Sequence, residues 1–503
     1  MSFRRLSRNA IASIAQVVGS AMLLLELYRF LVRQLGPGQI GVWSLVVACT
    51  APARLGEMGI GTAVTKFVAG DLGASKPRRA AATIGMCSAT VAAIIGAFSL
   101  LVWSVAPAVL TRLVSDDRLL SVAQALVPWA LASLWFASIG QVLLGALDAL
   151  QRSDLKAVTT LSANSLQLAA AYVLVPKHGL LALGEIQLVN AGLAAVGAMA
   201  LVVGVLAVDT HAWFDWNRRR LVDAIRYGAG MQLSTLGQLL FDPVVKALLA
   251  RVGPLSVVGY YEIAIRFVTQ CRSVIAAAYQ ALIPYLAHRA GDRELAKQDI
   301  VRAYRLAHSL LVVIALPFFS VVAVGLPLVF DIWLGRNDAT FIAIGLACLV
   351  GFCVNTLSVS AYVIYLAIGR IRWTIWTQFG IGVLNVALAS IGARVFGVGG
   401  VVAGSMIALA LGSTIATIAF HVEFSAPWRA FVPEGSLGLT VLVVTGASMI
   451  VGVESSAEGR VPQLPFAVVL ALFCILCAIN VWRQPAVVDA LGRLRAAKGR
   501  AQS

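Results

Sequence analysis

Charge is scarce in this chain of 503 residues, where Asp, Glu, Lys and Arg together make up only 12%. Soluble proteins carry about 25%, so the charges here are too few to coat a water-facing surface. Cysteine is also scarce, with seven residues and no framework spacing. Cys49, Cys87, Cys271, Cys348 and Cys353 are scattered through apolar runs. Cys474 and Cys477 form a C-x-x-C, but inside a hydrophobic segment that lacks the setting of a redox motif or zinc ribbon. All seven read as small buried hydrophobes. The five histidines are dispersed, leaving no metal-ligand cluster, and neither a nucleophile triad nor a phosphate-cradling loop is present. Gly36-Pro37-Gly38 reads as a turn rather than a nucleotide loop. A soluble enzyme is excluded, and no catalytic residue, metal or cofactor is expected.

What fills the chain is hydrophobic residue, 60% of the total, in runs near 20 residues that match the roughly 30 Å of bilayer hydrocarbon. Spans are expected at Ala10–Val32, Val42–Val68, Ala80–Val105, Val122–Leu147, Ala157–Val175 and Leu183–Val208. After a polar stretch come Tyr227–Leu249, Val257–Leu286, Ala307–Phe330, Phe341–Leu366, Thr374–Ile391 and Val398–Phe420. Leu437–Val453 and Leu464–Val481 close the chain. In lipid the backbone must satisfy its own hydrogen bonds, and these segments are too long and too uniformly apolar for barrel strands. The expected fold class is therefore all-α, a polytopic membrane protein of about 14 transmembrane helices. Arg4, Arg5 and Arg8 precede a stretch that runs on to Val32, contains Glu26 and Arg29, and lacks a small-residue cleavage site. That stretch reads as the first span rather than a leader.

Orientation follows from the loop cations. With the N-terminus in the cytoplasm, the inner set includes Lys76, Arg78, Arg79, Arg152, Lys156, Arg218, Arg219, Arg220, Arg289, Arg293, Lys297, Arg370 and Arg372. About 25 basic residues then lie inside and about 8 outside, as the positive-inside rule requires. Both termini are expected in the cytoplasm. The net charge of +16 is a topology signal and an attraction to anionic lipid, not a nucleic-acid footprint.

The stretch Asp209–Arg226, with Trp213, Phe214, Trp216 and Arg218-Arg219-Arg220, has the aromatic and basic character of a headgroup interface. It also divides an internal repeat. Gly36-Pro37 and Gly41 recur as Gly253-Pro254 and Gly259, while Arg152 and Gly179 recur 218 positions later as Arg370 and Gly397. The expected organisation is an N-terminal six-helix repeat (1–208), an interfacial cytoplasmic linker (209–226), a C-terminal six-helix repeat (227–421), and two further helices with a basic cytoplasmic tail (422–503). Six spans per half makes the repeats parallel, an arrangement that places a transport site in a central cavity.

Ionisable residues at membrane depth are costly, about 2.5–3.5 kcal/mol each at a helix centre. Here they are concentrated in spans one, two, seven and eight: Glu26 and Arg29; Arg54 and Glu57; Asp242 and Lys246; Glu262, Arg266 and Arg272. Three- and four-residue spacing allows the pairs Glu26–Arg29, Arg54–Glu57, Asp242–Lys246 and Glu262–Arg266. The repeat superimposes Arg29 on Lys246 and Arg54 on Arg272, so the expected cavity carries symmetry-related cations. The acids are candidates for ion coupling or counter-charge. Pro243, mid-span, is expected to bend span seven and serve as a hinge.

The run Gln34-Leu-Gly36-Pro37-Gly-Gln-Ile-Gly41-Val-Trp43-Ser and the run from Leu55 through Glu57, Gly59 and Gly61 to Lys66 resemble the start of bacterial polysaccharide flippases. These are the O-antigen, Wzx-like members of the multidrug/oligosaccharidyl-lipid/polysaccharide (MOP) superfamily. Val252-Gly-Pro254, Gly259-Tyr260-Tyr261, Ile283-Pro284, Trp333-Leu334-Gly335 and Gly397-Val-Gly399-Gly400 extend the resemblance over the first twelve spans. Glu57 stands where relatives often have Asp, and Lys66 where Arg is common. The resemblance implies a MATE-like fold in the bacterial inner membrane. It also implies that undecaprenyl-diphosphate-linked oligosaccharide is flipped between leaflets by alternating access. Arg29, Arg54 and Arg272 occupy places comparable to essential cavity arginines of lipid II flippases. With Lys246 and Arg266 they form the expected substrate-binding set, since a diphosphate leaving water needs cationic donors. A polysaccharide polymerase and glycosyltransferases are the implied partners, besides membrane lipids. The alternative is a MATE-type cation or drug antiporter, which would favour an acidic cavity.

Reporter fusions after Lys76, Arg220 and Lys297 should report cytoplasm, and those after Asp116 and Ser456 periplasm. A periplasmic signal at Arg220 defeats the orientation and the six-plus-six division together.

Overall fold

In the computed structural model, the described residues are 3–57, 59–280, 297–335, 338–368, 370, 372–427, 431, 436–456 and 463–484. Ile283-Pro284, Arg289, Arg293 and the basic tail beyond Gln484 lie outside them. Among the described residues every regular element is helical, as a backbone surrounded by hydrocarbon requires. In chain order the α-helices are α1 (Phe3–Thr50), α2 (Ile60–Gly73), α3 (Pro77–Leu113), α4 (Asp117–Ala149), α5 (Ser153–His178), α6 (Leu180–Leu206), α7 (Arg218–Leu239), α8 (Asp242–Val252) and α9 (Leu255–Gln280). They are followed by α10 (Lys297–Leu334), α11 (Ala339–Leu357), α12 (Val359–Ala367), α13 (Arg372–Glu423), α14 (Ser436–Ser456) and α15 (Gln463–Trp482).

Among the described residues, eight helical stretches are long and apolar enough to cross a membrane, and two shorter apolar helices follow near the C-terminus. Two of the eight each carry two expected spans: one kinks at Gly36, the other at Gly397. The helices α7, α8 and α9 fall outside this set. The protein is a multi-pass membrane protein.

The chain divides into two compact units, Met1–Ile263 with Asn385–Val401, and Ala264–Leu384 with Val402–Ser503. Local geometry recurs at the sequence offset of 218 residues. Gly179 ends α5 at φ 63°, ψ −142°, and Gly397 interrupts α13 at φ 57°, ψ −132°. That left-handed region excludes most side chains. Likewise the Arg152 amide donates to Leu147 O at 3.0 Å, and the Arg370 amide to Tyr365 O at 2.9 Å.

The first unit has a core of Ile60, Val64, Ile84, Val142, Leu147 and Val202, against which Leu150, Leu155, Trp213 and Ile225 pack. Three loops are thereby held at one end of this unit, those following α2, α4 and α6. The stretch after α6 is docked, not loose. It contains a short 3-10 helix, Thr210–Phe214, and Arg220 grips Asp71 with two hydrogen bonds of 2.8 and 2.9 Å. These bonds raise the Arg220 pKa above its ordinary value, and Arg78 pairs with Asp209.

In the second unit α14 and α15 pack on α10 through Val313, Val324, Leu439, Val443 and Phe473. Two histidines act as internal staples. His308 bonds Ser360 at 3.0 Å and the Phe431 carbonyl at 3.1 Å, and His421 bonds Tyr304 at 3.2 Å.

The recurring Gly41 and Gly259 meet each other. A Cβ on Gly41 would fall 2.0 Å from Leu255 O, and one on Gly259 1.9 Å from Pro37 O. Each glycine thus sits on the carbonyl four residues before the other, and only glycine allows backbones so close. Gly41→Ala or Gly259→Ala should force α1 and α9 apart at a cost of about 1–3 kcal/mol, read as a lowered melting temperature. The double variant should cost less than the sum, because one substitution already separates the helices. Gly38→Ala, which meets nothing within 4 Å, is the neutral control; equal losses in all three would refute the contact.

Candidate functional site

Two of the charged spans are broken. The second span, expected to be continuous, leaves α-helix at Thr50 and passes through a 3-10 stretch, Ala51–Glu57, before Gly59 turns left-handed at φ 61°. Pro52 supplies the cause: it has no amide to donate and its ring crowds the preceding turn. Arg54 and Glu57 therefore lie on the interruption. The seventh span is broken between Leu239 and Asp242, slightly before the expected bend at Pro243. Proline is tolerated in the first turn of a helix, where its missing amide has no partner to lose, so α8 starts just ahead of it.

A break at membrane depth frees backbone carbonyls that need donors. Asn385 meets that need in the first unit: its Nδ2 donates to Leu240 O at 2.9 Å and Phe241 O at 3.1 Å. Its side chain is fully enclosed, and its Oδ1 has no hydrogen-bond partner among the described residues. The sequence reading missed Asn385, although an amide in an otherwise apolar run was a usable signal.

Beside the break lies a buried ionic cluster. Lys246 Nζ is 2.6 Å from Asp242 Oδ2 and 2.7 Å from Glu262 Oε2, with the Lys246 and Glu262 side chains 2% and 3% exposed. Glu262 also accepts from Tyr28 Oη and Ser44 Oγ, both at 2.9 Å. An ionised carboxylate accepts at both oxygens, which these donors use. The cluster joins α1, α8 and α9. The pairing of Asp242 with Lys246 follows helical spacing. Glu262, expected to pair with Arg266 on its own helix, gains partners on other helices that spacing along one helix cannot show.

Lys246 is the most enclosed of the five cations expected to bind substrate. Although the sequence offset aligns it with Arg29, the two have unlike surroundings: Lys246 is enclosed between two carboxylates, whereas the Arg29 side chain is 37% exposed and lies 3.4 Å from Glu26. Glu26 also accepts from Tyr172 at 2.7 Å, and Glu57 from Ser138 at 2.9 Å. Arg54 is exposed on the broken second span. Arg266 and Arg272 lie on α9 in the second unit, half-buried. Among the described residues no group of three or more metal-type side chains converges.

Removing one partner of a buried ion pair costs about 3–5 kcal/mol, whereas replacing both with apolar or neutral groups is often tolerated. Lys246→Met alone and Glu262→Gln alone should each destabilise the purified protein, and Lys246→Met with Glu262→Gln should recover most of the loss. A double variant no more stable than the singles would disprove this pairing.

A family model described as MatE matches residues 13–173. No curated relative matches the sequence. Among solved structures, an inward-facing multidrug resistance MATE family transporter of the MOP superfamily has a TM-score of 0.71 at 15% identity, covering 83% of this chain and 98% of its own. Lipid II flippase MurJ, in an inward closed conformation, has a TM-score of 0.69 at 13% identity, covering 94% of this chain and 98% of its own. A MOP superfamily transporter from Pyrococcus furiosus, described as having a binding pocket of reverse polarity, has 0.59 at 16% identity, with 84% and 96% covered. This chain therefore has the helical fold shared by the MATE transporters and the MurJ flippase.

Proposed function

We propose that this protein is a flippase that moves a lipid-diphosphate-linked oligosaccharide, an O-antigen, capsule or exopolysaccharide repeat unit, across the bacterial inner membrane by alternating access. One observation carries the reading. The membrane carboxylates have partners of their own, whereas the Nε atoms of Arg29 and Arg272 are buried without an acceptor among the described residues. Unused guanidinium donors suit phosphate oxygens, which take two N–H groups at once. Arg29, Arg54, Arg266 and Arg272 are the proposed diphosphate contacts. Lys246, already held by Asp242 and Glu262, organises the helices that carry them. The two six-helix repeats, 1–208 and 227–421, are the proposed moving halves, with both termini in the cytoplasm. The break before Pro243, braced by Asn385, is the proposed hinge.

A second reading, a MATE-type cation or drug antiporter, is favoured by Asp242. Its carboxylate is 39% exposed, and with Lys246 and Glu262 the ionised cluster has one excess negative charge, which a proton or small cation could neutralise.

Reconstituted vesicles loaded with polyprenyl-diphosphate oligosaccharide separate the two. Arg29→Ala or Arg54→Ala should slow translocation roughly tenfold or more, the loss expected for a charge-assisted hydrogen bond of about 1.5–3 kcal/mol. Arg54→Lys should be intermediate, keeping charge without the fork. Arg54→Ala combined with Glu57→Ala should stay inactive; recovery would mean that Arg54 serves only to balance Glu57. Wild-type vesicles that exchange organic cations for protons yet leave the lipid-linked sugar in place would establish the antiporter instead.

A further inference from the structure

The second unit contains a groove lined by none of the residues proposed to contact the diphosphate. It has a volume of about 820 Å³ and is lined by Arg370, Arg372, Trp373, Ile418, Val422 and Glu423, among others. We propose that this groove binds an anionic phospholipid, with its phosphate at Arg372 and one acyl chain along α13.

The charges favour an anion. Glu423 is saturated: it pairs with Arg370 and accepts from Trp373 Nε1 at 3.0 Å and Tyr365 Oη at 3.1 Å. Arg372 stacks 5.6 Å from the Trp373 ring, and no carboxylate among the described residues pairs with it. After Arg370 and Glu423 cancel, the groove retains the positive charge of Arg372. An arginine stacked on a tryptophan is suited to the headgroup level, where aromatic rings collect and basic pockets between helices hold lipid headgroups.

The walls favour a lipid over a free phosphate. Ile407, Leu411, Ile418 and Val422 are 52%, 53%, 47% and 70% exposed, and with Ile415 they share one face of α13. At 1.5 Å per residue this stripe is about 22 Å long, enough to cover one leaflet of roughly 15 Å. It starts at the two arginines. A molecule with an anionic head and an apolar tail matches both ends, and a soluble anion matches only one.

The purified full-length protein, titrated with phosphatidylglycerol, phosphatidylcholine or glycerol 1-phosphate and read by native mass spectrometry, tests the proposal. Phosphatidylglycerol should bind more tightly than phosphatidylcholine. Arg372→Gln should weaken it roughly fivefold, the change expected for one basic side chain at an anionic surface, and leave phosphatidylcholine unchanged. Ile418→Trp, which fills the groove and keeps its charge, should weaken both lipids. Unaltered phosphatidylglycerol binding in Arg372→Gln, or its displacement by glycerol 1-phosphate alone, overturns the proposal. Melting temperatures in phosphatidylcholine nanodiscs check folding, and if Arg372→Gln fails to fold, unaltered lipid binding in Ile418→Trp overturns it equally.

Discussion

Every peptide group that enters hydrocarbon must find its hydrogen-bond partner inside the protein, and this requirement governs the rest of the structure. It accounts for the helical backbone, and it makes each interruption of a helix an event that side chains must answer. Pro52 and Pro243 create two such interruptions in the first unit. At the second, Asn385 brings a buried amide to the carbonyls of Leu240 and Phe241. A break supported in this way is a defined structural joint, because the freed groups are met by one particular residue from a segment distant in sequence.

The same constraint explains where the charges settle. Burying Lys246 would be prohibitive without partners, and it has two carboxylates within 2.7 Å. Tyr28 and Ser44 complete the coordination of Glu262, so the ionic cluster doubles as a tie between α1, α8 and α9. Arg29, which the sequence offset aligns with Lys246, opens to its surroundings. Of these two positions, Lys246 is enclosed by carboxylates, whereas Arg29 keeps a buried Nε without an acceptor among the described residues.

Much of the fold was legible because apolar length and scarcity of charge are properties of contiguous sequence. The sequence offset of 218 residues is matched by local geometry at Gly179 and Gly397, whose backbone angles favour glycine, and at Arg152 and Arg370, whose amides close similar turns. The site was only partly readable. Spacing along one helix pairs Asp242 with Lys246 correctly, but it is silent about contacts between helices. Tyr28, Ser44 and Ser138 become informative only once helices are placed side by side, whereas Asn385 stood out as an amide in an apolar run but without an indication of its partner. The 3-10 stretch at Ala51–Glu57 was also missed, although Pro52 marks it, because the surrounding run is apolar enough to pass for an unbroken span.

The crossing of Gly41 and Gly259 has a further consequence. Each helix offers the other the same two features, a bare glycine and a carbonyl four residues earlier, so the contact is isologous in the sense used for two-fold dimers. Such a surface is complementary to a copy of itself, and neither helix is the socket for the other's key. The chain thus holds internally, at one point, the kind of interface that two separate subunits form when they associate about a dyad. A change on one side of that dyad leaves the opposite half of the contact mismatched, so sequence drift at the crossing is constrained in pairs.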